Sequence, residues 1–465
     1  MQNDLQDKCG IVGVYSYDES LDVASWIYSG LYTLQHRGQE SAGISVLKDG
    51  RINTHVGMGL VSDVFNNDLL DILNGNVGIG HVRYSTTGDS SYENCSPFVE
   101  HKEDIIISMG HNGDIVNSEI LREELKASNH EFKSTTDSEV ICHLIIDEYN
   151  KDHDVIRSIK SACSRLIGSY SLVILINGVL YAVRDPLGMK PLALGTNNDF
   201  IVVASESVAF DSLDIDYVRS IEPGEILAID NGEMTSYYLP REEHTANCMF
   251  EYLYFARPDS IIFDKKVYDV RLNVGKKLAE EYPIDADVVI AVPDSAIPAT
   301  LGYSRATGIP YAEGLIKNRY VGRTFIMPTQ KDRDLAVKLK MNTIESVLKD
   351  KRVIVIDDSV VRGTTSTTII KMIREAGAKE VHLLVGCPEI ISPCYYGIAM
   401  ATKEELLAVD RTNEEIRDII GVDSIGYISI EGLVESIGTP AEDLCLGCIT
   451  GDYPTVIPPE LEDKE

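Results

Sequence analysis

The chain has 465 residues, 44% of them hydrophobic. That is enough for sizeable cores and, at roughly 100–200 residues per domain, for two or three units, of which two large ones are expected. Its 42 basic and 73 acidic residues give a formal charge of -31, which sets the surface as a whole against nucleic acid and anionic membranes. No apolar run approaches the ~20 residues that span a bilayer, and the N-terminus MQNDLQDK is acidic and polar where an export signal is basic and then apolar. A cytosolic protein without a nucleic-acid or membrane partner is expected. Its nine cysteines then divide among buried thiols, a nucleophile and metal ligands, not a disulfide framework.

From Cys9 to about residue 235, short β-branched runs alternate with turns: IVGVYSY, GISVL, VGIGHVRYS, DIIISMGHNGDI, YSLVILING, VLYAVRD, FIVVASES and GEILAID. The pattern predicts a many-stranded antiparallel region with a few helices between. The stretch YYLPREEHTANCMFEYLYFARPDS breaks periodicity with Pro and charge, and predicts a connection with a boundary near residue 240. Between about residues 285 and 390, DVVIAV, RVIVID and EVHLLVG are fully apolar strands, and TSTTIIKMIREAG is a helix separating the last two. Such alternation predicts a buried parallel sheet. There is no repeat of fixed period, and the acidic tail IPPELEDKE reads as mobile.

Cys9 lies in KCGIVGVY just before an apolar strand. A cysteine there is, by itself, a small buried hydrophobe. It is accompanied by LQHRGQESAG with Arg37, GHVRYSTTG with Arg83, and GHNGDIVN with Asn112 and Gly113, followed by STTDSE with Asp137. Read singly, an Arg after a β-run is a solvated strand-end charge and TDSE is a helix N-cap with an acidic first turn. In this order, the segments resemble the glutaminase domain of the N-terminal-nucleophile amidotransferases over roughly residues 9–240.

That resemblance implies an α+β N-terminal-nucleophile glutaminase domain of stacked antiparallel sheets between helices. It makes Cys9 the nucleophile, with its own α-amino group, which ordinarily titrates near pH ~8, as general base. The Asn112 side chain and the Gly113 N–H become oxyanion donors. Arg83 would pair with the glutamine α-carboxylate in bidentate fashion, Asp137 would receive the α-ammonium, and Arg37 would also bind substrate. An amide-bonded nitrogen cannot serve as the base. Residues 1–8 are therefore expected to be a propeptide removed by cleavage between Lys8 and Cys9, as in those members of the family that carry one.

In KRVIVIDDSVVRGTTSTTIIKMIREAG a strand ends in Asp357 and Asp358, a loop passes through Arg362, Gly363, Thr364 and Thr365, and a helix begins. Gly363 permits a tight turn, and the N–H groups from Gly363 to Thr367 with the helix N-terminus favour a phosphate dianion. The carboxylates suit ribose hydroxyls or a hydrated Mg²⁺. The bland reading is a capped strand-to-helix turn. Two further parts accompany the segment: VPDSAIP at 292–298, and KNRYVGRTFIMPTQKDR with five cations in 17 residues.

These parts resemble the type I phosphoribosyltransferases, which implies an α/β domain with a parallel sheet over residues 241–465. By that resemblance Asp294 and Ser295 bind pyrophosphate, and Ser295, Asp357 and Asp358 hold Mg²⁺. Arg362, Gly363, Thr364 and Thr365 would then cradle phosphate. Lys317, Arg319, Arg323, Lys331 and Arg333 would ride on a flap hinged at Gly322 that keeps water from the anomeric centre.

LCLGCITGDYP supplies Cys445 and Cys448, which as a CxxC pair suit a zinc half-site, a redox pair or a turn. With Cys248 in ANCMFEYLYFARPDS and Cys394 in SPCYYGI, the quartet resembles that of the amidotransferases that hold a 4Fe-4S cluster. A four-cysteine zinc site and core packing are the alternatives, and Cys387 is a rival ligand that the resemblance disfavours. Cys95, Cys142, Cys163 and Cys387 are left as buried structural thiols.

Joined, the two halves imply that ammonia freed from glutamine at Cys9 passes internally to C1 of phosphoribosyl pyrophosphate, giving phosphoribosylamine at the opening of purine synthesis. The resemblance further implies a homotetramer and feedback by purine nucleotides. A purine-sensing regulator is expected to have lost the Cys9, Arg83, Asn112 and Asp137 set. Other glutaminase-bearing synthases lack VIVIDDSVVRGTT.

Overall fold

A computed structural model describes residues 9–84, 90–102, 105–318, 340–398, 400 and 402–462. Strands are numbered in chain order. The first half contributes β1 (Gly10–Ser16), β2 (Ser41–Lys48), β3 (Arg51–Met58), β4 (Val77–Arg83), β5 (Phe98–Lys102), β6 (Ile105–Ile115) and β7 (Gly168–Ile176). It continues with β8 (Val179–Arg184), β9 (Ala193–Thr196), β10 (Phe200–Ala204), β11 (Asp216–Ser220), β12 (Glu225–Asp230) and β13 (Glu233–Tyr238). These form two antiparallel sheets, ordered β11-β9-β10-β1-β4-β2-β3 and β13-β12-β8-β7-β6-β5.

The sheets stack face to face. Ile11, Val77 and Ile79 of the first meet Val173, Leu175 and Leu227 of the second. The helix Ala24–Thr33 covers the outer face of the first sheet through Ile27 and Leu31. Helices Ser118–Ala127, Asp137–Asp152 and Val155–Cys163 cover the second. Because both faces of β7 are covered, all nine of its residues are buried. This accounts for an apolar run, LVILI, in an antiparallel strand, where one-sided burial would give alternation. The expected layering of helix, sheet, sheet and helix is what the structure has.

The second half contributes β14 (Asn247–Cys248), β15 (Ile261–Ile262), β16 (Lys265–Lys266), β17 (Val288–Ala291), β18 (Leu315–Lys317), β19 (Met341–Thr343), β20 (Arg352–Asp357), β21 (Glu380–Val385), β22 (Ser424–Tyr427) and β23 (Leu444–Cys445). Its centre is a parallel sheet, β17-β20-β21-β22, whose apolar residues are almost wholly excluded from water. Helices Val267–Glu281, Ile297–Thr307 and Ile430–Ile437 pack as one group, and Thr364–Glu375 with Asn413–Ile420 as another. Ala291 pairs with Ile356, so the loops that follow β17 and β20 emerge side by side at one end of the sheet, where open α/β sheets receive ligands.

The stretch from Tyr238 to Val267 is more than a connection. Cys248 N donates to Met189 O at 3.2 Å, β14 pairs in parallel with β23, and Glu251–Phe255 forms a π-helical turn with Glu251 and Tyr252 fully buried. Ser169 Oγ also donates to Tyr396 O at 3.0 Å. The two halves thus share a tightly built junction.

Candidate functional sites

Cys9 immediately precedes β1, and the pairing of Gly10 with Val82 sets it beside the end of β4. Its Sγ lies 3.9 Å from Tyr84 O. β6 crosses behind, since a Cβ built on Gly110 would meet Ile11 at 3.3 Å and His81 at 3.6 Å. Asn112 is fully buried on this strand, and neither its Oδ1 nor its Nδ2 has a hydrogen-bond partner. Leaving a dry amide unpaired costs about 1–3 kcal/mol, a cost that makes sense where a guest is to be met. Gly113 is required by its neighbours, because a Cβ there would stand 2.0 Å from Ser169 O. The His81 Nε2 lies 3.0 Å from His111 O, and burial pushes the His81 pKa down to about 3, which keeps the imidazole neutral.

Asp137 opens its helix, buried, with Oδ2 accepting from Ile115 N at 3.0 Å and Oδ1 lying 3.5 Å from His111 Nδ1. Arg83 is also buried and donates to Glu40 Oε1 at 2.8 Å, so the solvated strand-end reading does not hold for it. Arg37 is enclosed by carboxylates. Its guanidinium is 1% exposed and donates to Glu206 Oε1 (2.7 Å), to Glu251 Oε2 and Oε1 (2.9 and 2.8 Å), and through Nε to Cys9 O (3.3 Å). A cation so fully paired is not available to a substrate carboxylate. Its Nε bond ties it to the backbone of Cys9.

At the second site, Ser295 Oγ donates to Asp358 Oδ2, Ser359 Oγ donates to Asp358 Oδ1 at 2.7 Å, and Asp358 N donates to Asp357 Oδ1 at 2.9 Å. Crowding of the Asp358 carboxyl away from water pushes its pKa up. Gly363 takes φ +75° as the N-cap of the helix Thr364–Glu375, and a Cβ there would meet Leu407 Cδ2 at 2.6 Å. Thr364 Oγ1 is buried with no partner, at a helix N-terminus whose first N–H groups lack helical acceptors. Arg362 pairs with Glu405 at 2.9 Å. Asp294 and Lys317 approach at 3.2 Å on the rim of a pocket of about 490 Å³, also lined by Pro293, Ile297 and Tyr311. Arg319, Gly322, Arg323, Lys331 and Arg333 lie outside the described residues.

Cys248, Cys394, Cys445 and Cys448 line one pocket at the junction. The parallel pairing of β14 with β23 sets Cys248 opposite Cys445, and Ile391 N and Ser392 N hold Cys448 O at 3.0 and 3.1 Å. Cys387 is fully buried and does not line this pocket. Among the described residues no three His, Cys, Asp or Glu side chains converge as ligands of a single ion. Four thiols around one pocket suit a group that takes four cysteine sulfurs. For the second site, Mg²⁺ commonly takes one or two carboxylates and completes its shell with substrate phosphate and water, so no protein cage is needed there.

Sequence reasoning missed Lys190, Glu206 and Glu251. Lys190 is fully buried, lines the cysteine pocket, and has no hydrogen-bond partner for Nζ, with Glu251 Oε1 3.8 Å away. Burial opposes its charge, but Cys248 and Glu251 outweigh this and raise its pKa. The signal was a single Lys inside PLGMKPLALG.

Comparison with known proteins agrees with this geometry. A glutamine amidotransferase domain family matches residues 81–212, and a phosphoribosyl transferase domain family matches residues 267–392. The protein is therefore a glutamine amidotransferase fused to a phosphoribosyltransferase. The amidophosphoribosyltransferase of Methanothermobacter thermautotrophicus is 60% identical over 100% of this chain and 98% of its own. That of Methanocaldococcus jannaschii is 54% identical over 97% and 98%. The solved glutamine phosphoribosylpyrophosphate amidotransferase of B. subtilis, complexed with ADP and GMP, superposes with a TM-score of 0.91 at 43% identity, covering 97% of this chain and 98% of its own. The chain belongs to the amidophosphoribosyltransferases, and its reaction is the glutamine-dependent amination of phosphoribosyl pyrophosphate in purine biosynthesis.

Proposed function

We propose that Cys9, Asn112, Gly113, Arg83 and Asp137 form the glutaminase site, and that Asp294, Ser295, Asp357, Asp358 and Arg362 to Thr365 form the phosphoribosyl site. The observation that best supports the first assignment is the orphaned amide of Asn112 on β6, the strand that crosses behind β1 and β4. With residues 1–8 removed, the freed α-amino group of Cys9 takes the thiol proton. The thiolate attacks the glutamine side-chain carbonyl, and the oxyanion is met by Asn112 Nδ2 and the Gly113 N–H. Collapse expels ammonia, with the α-ammonium of Cys9 returning the proton, and leaves a glutamyl thioester that water hydrolyses to glutamate. Ammonia, kept unprotonated by an internal passage, attacks C1 of phosphoribosyl pyrophosphate as the C1–O bond to pyrophosphate breaks.

Ser295, Asp357 and Asp358 would hold Mg²⁺, which when bound neutralises pyrophosphate as a leaving group. Asp294, with Thr364, Thr365 and the N–H groups after Gly363, orients the phosphates, and Lys317 brings charge to the rim. The flap cations Arg319, Arg323, Lys331 and Arg333 complete the proposal. Cys248, Cys394, Cys445 and Cys448 would hold a 4Fe-4S cluster of structural role. The division into residues 1–8, 9–240 and 241–465 is part of the reading. So are a cytosolic homotetramer and inhibition by purine nucleotides, the latter supported by the ADP and GMP of the B. subtilis relative.

Intact mass and visible absorption of anaerobically purified protein test the reading. A chain beginning at Cys9 with a broad iron-sulfur band is expected. An uncleaved, colourless protein with full glutaminase activity overturns both the Cys9 mechanism and the cysteine assignment.

A further inference from the structure

The nucleophile and the cysteine pocket are joined by an unbroken line of buried charge. Cys9 O accepts from Arg37 Nε, Arg37 is forked onto Glu251, and Glu251 Oε1 lies 3.8 Å from Lys190 Nζ at the pocket wall. Arg37, Glu206, Glu251 and Lys190 are each at most 1% exposed. Glu206 is anchored separately, by His36 at 2.8 Å and Ser260 Oγ at 2.6 Å.

Lys190 is the odd member of the line. Its ammonium carries three donors, and none has an acceptor within hydrogen-bond reach. The nearest carboxylate oxygen, Glu251 Oε1, is already held by Arg37 Nη2 at 2.8 Å. The rest of its pocket is sulfur and apolar or aromatic surface: the four cysteines, Met189, Phe250, Tyr396, Ile398 and Tyr453. A buried ammonium without an acceptor is among the costlier features a fold can keep, so its donors point to an anionic, acceptor-rich guest in the pocket.

We propose that Lys190 is the hydrogen-bond donor and counter-charge to a sulfide-bearing cluster in this pocket, and that Glu251 and Arg37 carry the pocket's occupancy to the backbone of Cys9. The inference rests on the cluster assignment made above. When the guest is present its sulfur atoms satisfy Lys190, and Glu251 stays forked on Arg37, which holds Cys9 O. When it is absent the ammonium, 3.8 Å from Glu251 Oε1, competes with Arg37 for that oxygen, and the seat of the nucleophile loosens. Lys190, Glu251 and Arg37 are positioning residues. Coupling of this kind needs no conformational change beyond one shared carboxylate oxygen.

The test compares wild-type enzyme, Lys190→Met and Lys190→Arg, all purified anaerobically. Iron per chain, the one-electron midpoint potential and the rate of Cys9 alkylation by iodoacetamide are measured, with ammonia-dependent synthesis as the folding control. Removing a cation beside the cluster disfavours its reduction. Lys190→Met is expected to weaken electron affinity at least tenfold, about 59 mV for one electron; stripping the cluster is expected to slow Cys9 alkylation at least tenfold in the wild type and to leave it unchanged in Lys190→Met, which has no ammonium to draw Glu251 away. Lys190→Arg is expected to restore most of both. Iron-loaded Lys190→Met with wild-type potential, or with alkylation that slows on stripping as the wild type's does, overturns the inference while leaving the cluster assignment standing. A wild-type protein without iron overturns the assignment, and the inference with it. If Lys190→Met does not assemble a cluster, the wild type decides. Reduced enzyme labelled with ¹⁵N-lysine should show a nitrogen coupling to the cluster in electron-nuclear double resonance, and its absence overturns the proposal.

Discussion

Asn112 stands on an 11-residue strand with its amide wholly dry, whereas Asp357, Asp358 and Thr364 stand at or past the end of β20 on a turn that is only partly covered. The difference follows from what each site must meet. An oxyanion arises only as the tetrahedral intermediate forms, and donors that must not move as charge develops are best set on paired strands. Pyrophosphate is fully charged before it binds and arrives with a cation. Its cradle needs the open carboxyl end of a parallel sheet and a turn of N–H groups that it can enter. The first site is built by the interior of the fold and the second by its rim.

The largest expected effects separate the two sites outright. Cys9→Ala should abolish glutamine-dependent synthesis and retain ammonia-dependent synthesis, while Asp357→Ala should lose both. Parallel steady-state assays with the two nitrogen donors check this, and equal loss of both activities in Cys9→Ala would break the comparison. Asn112→Ala is expected to slow glutamine hydrolysis by about 10²- to 10³-fold. Its melting temperature should stay level or rise, because the substitution removes an amide that the fold leaves unpaired. A clear fall in melting temperature would mean that Asn112 holds the strand and not the reaction.

Gly363→Ala probes the rim. It places a β-carbon 2.6 Å from Leu407 at φ +75°, a strain of about 1–2 kcal/mol. On a turn at the open end of the sheet that strain should be relieved by local movement. A roughly tenfold rise in KM for phosphoribosyl pyrophosphate is expected, with glutamine hydrolysis unchanged. Loss of both activities would show that the turn is as rigid as the strands.

Much of this was legible because chemistry fixes residue type at fixed spacing. The acid pair, Gly363 and the threonines follow one another in the chain, so strand, turn and helix N-terminus could be derived before any geometry was known. Asn112 and Gly113 were legible as a pair only through resemblance, since nothing in a strand sequence says which amide is left unpaired. The surroundings of Arg37 were hidden for a related reason. Its partners Glu206 and Glu251 are 169 and 214 residues away, and a motif shows that a cation is needed without showing which anion consumes it. Lys190 was hidden in the same way, as its role exists only once β14 and β23 bring the cysteines to it. The connection near residue 240 was read as a link because Pro and charge break periodicity, whereas Glu251 within it is forked onto Arg37 of the first half.

The smallest effect concerns how the sheet-built site is held from outside. Glu139, in the first turn of the helix that presents Asp137, accepts from Lys133 N and Ser134 N at 2.8 Å and from Ser134 Oγ at 2.6 Å, with His143 Nε2 3.8 Å away. Burial would raise its pKa, but the His143 interaction and these hydrogen bonds prevail and hold it at about 2. The folded value lies below the ordinary one of 4.5. The carboxylate's contribution, on the order of 2 kcal/mol after screening, is therefore complete above about pH 4.5 and is lost as pH falls toward 2. Glu139→Gln should lower the unfolding free energy by that amount at neutral pH, and the gap from wild type should close on acidification, which denaturant titrations across the range will show. A modest rise in KM for glutamine should accompany it, as the loop before Asp137 loosens. If the gap stays constant down to about pH 3, the effect is one of packing, and the helix holds Asp137 without this carboxylate.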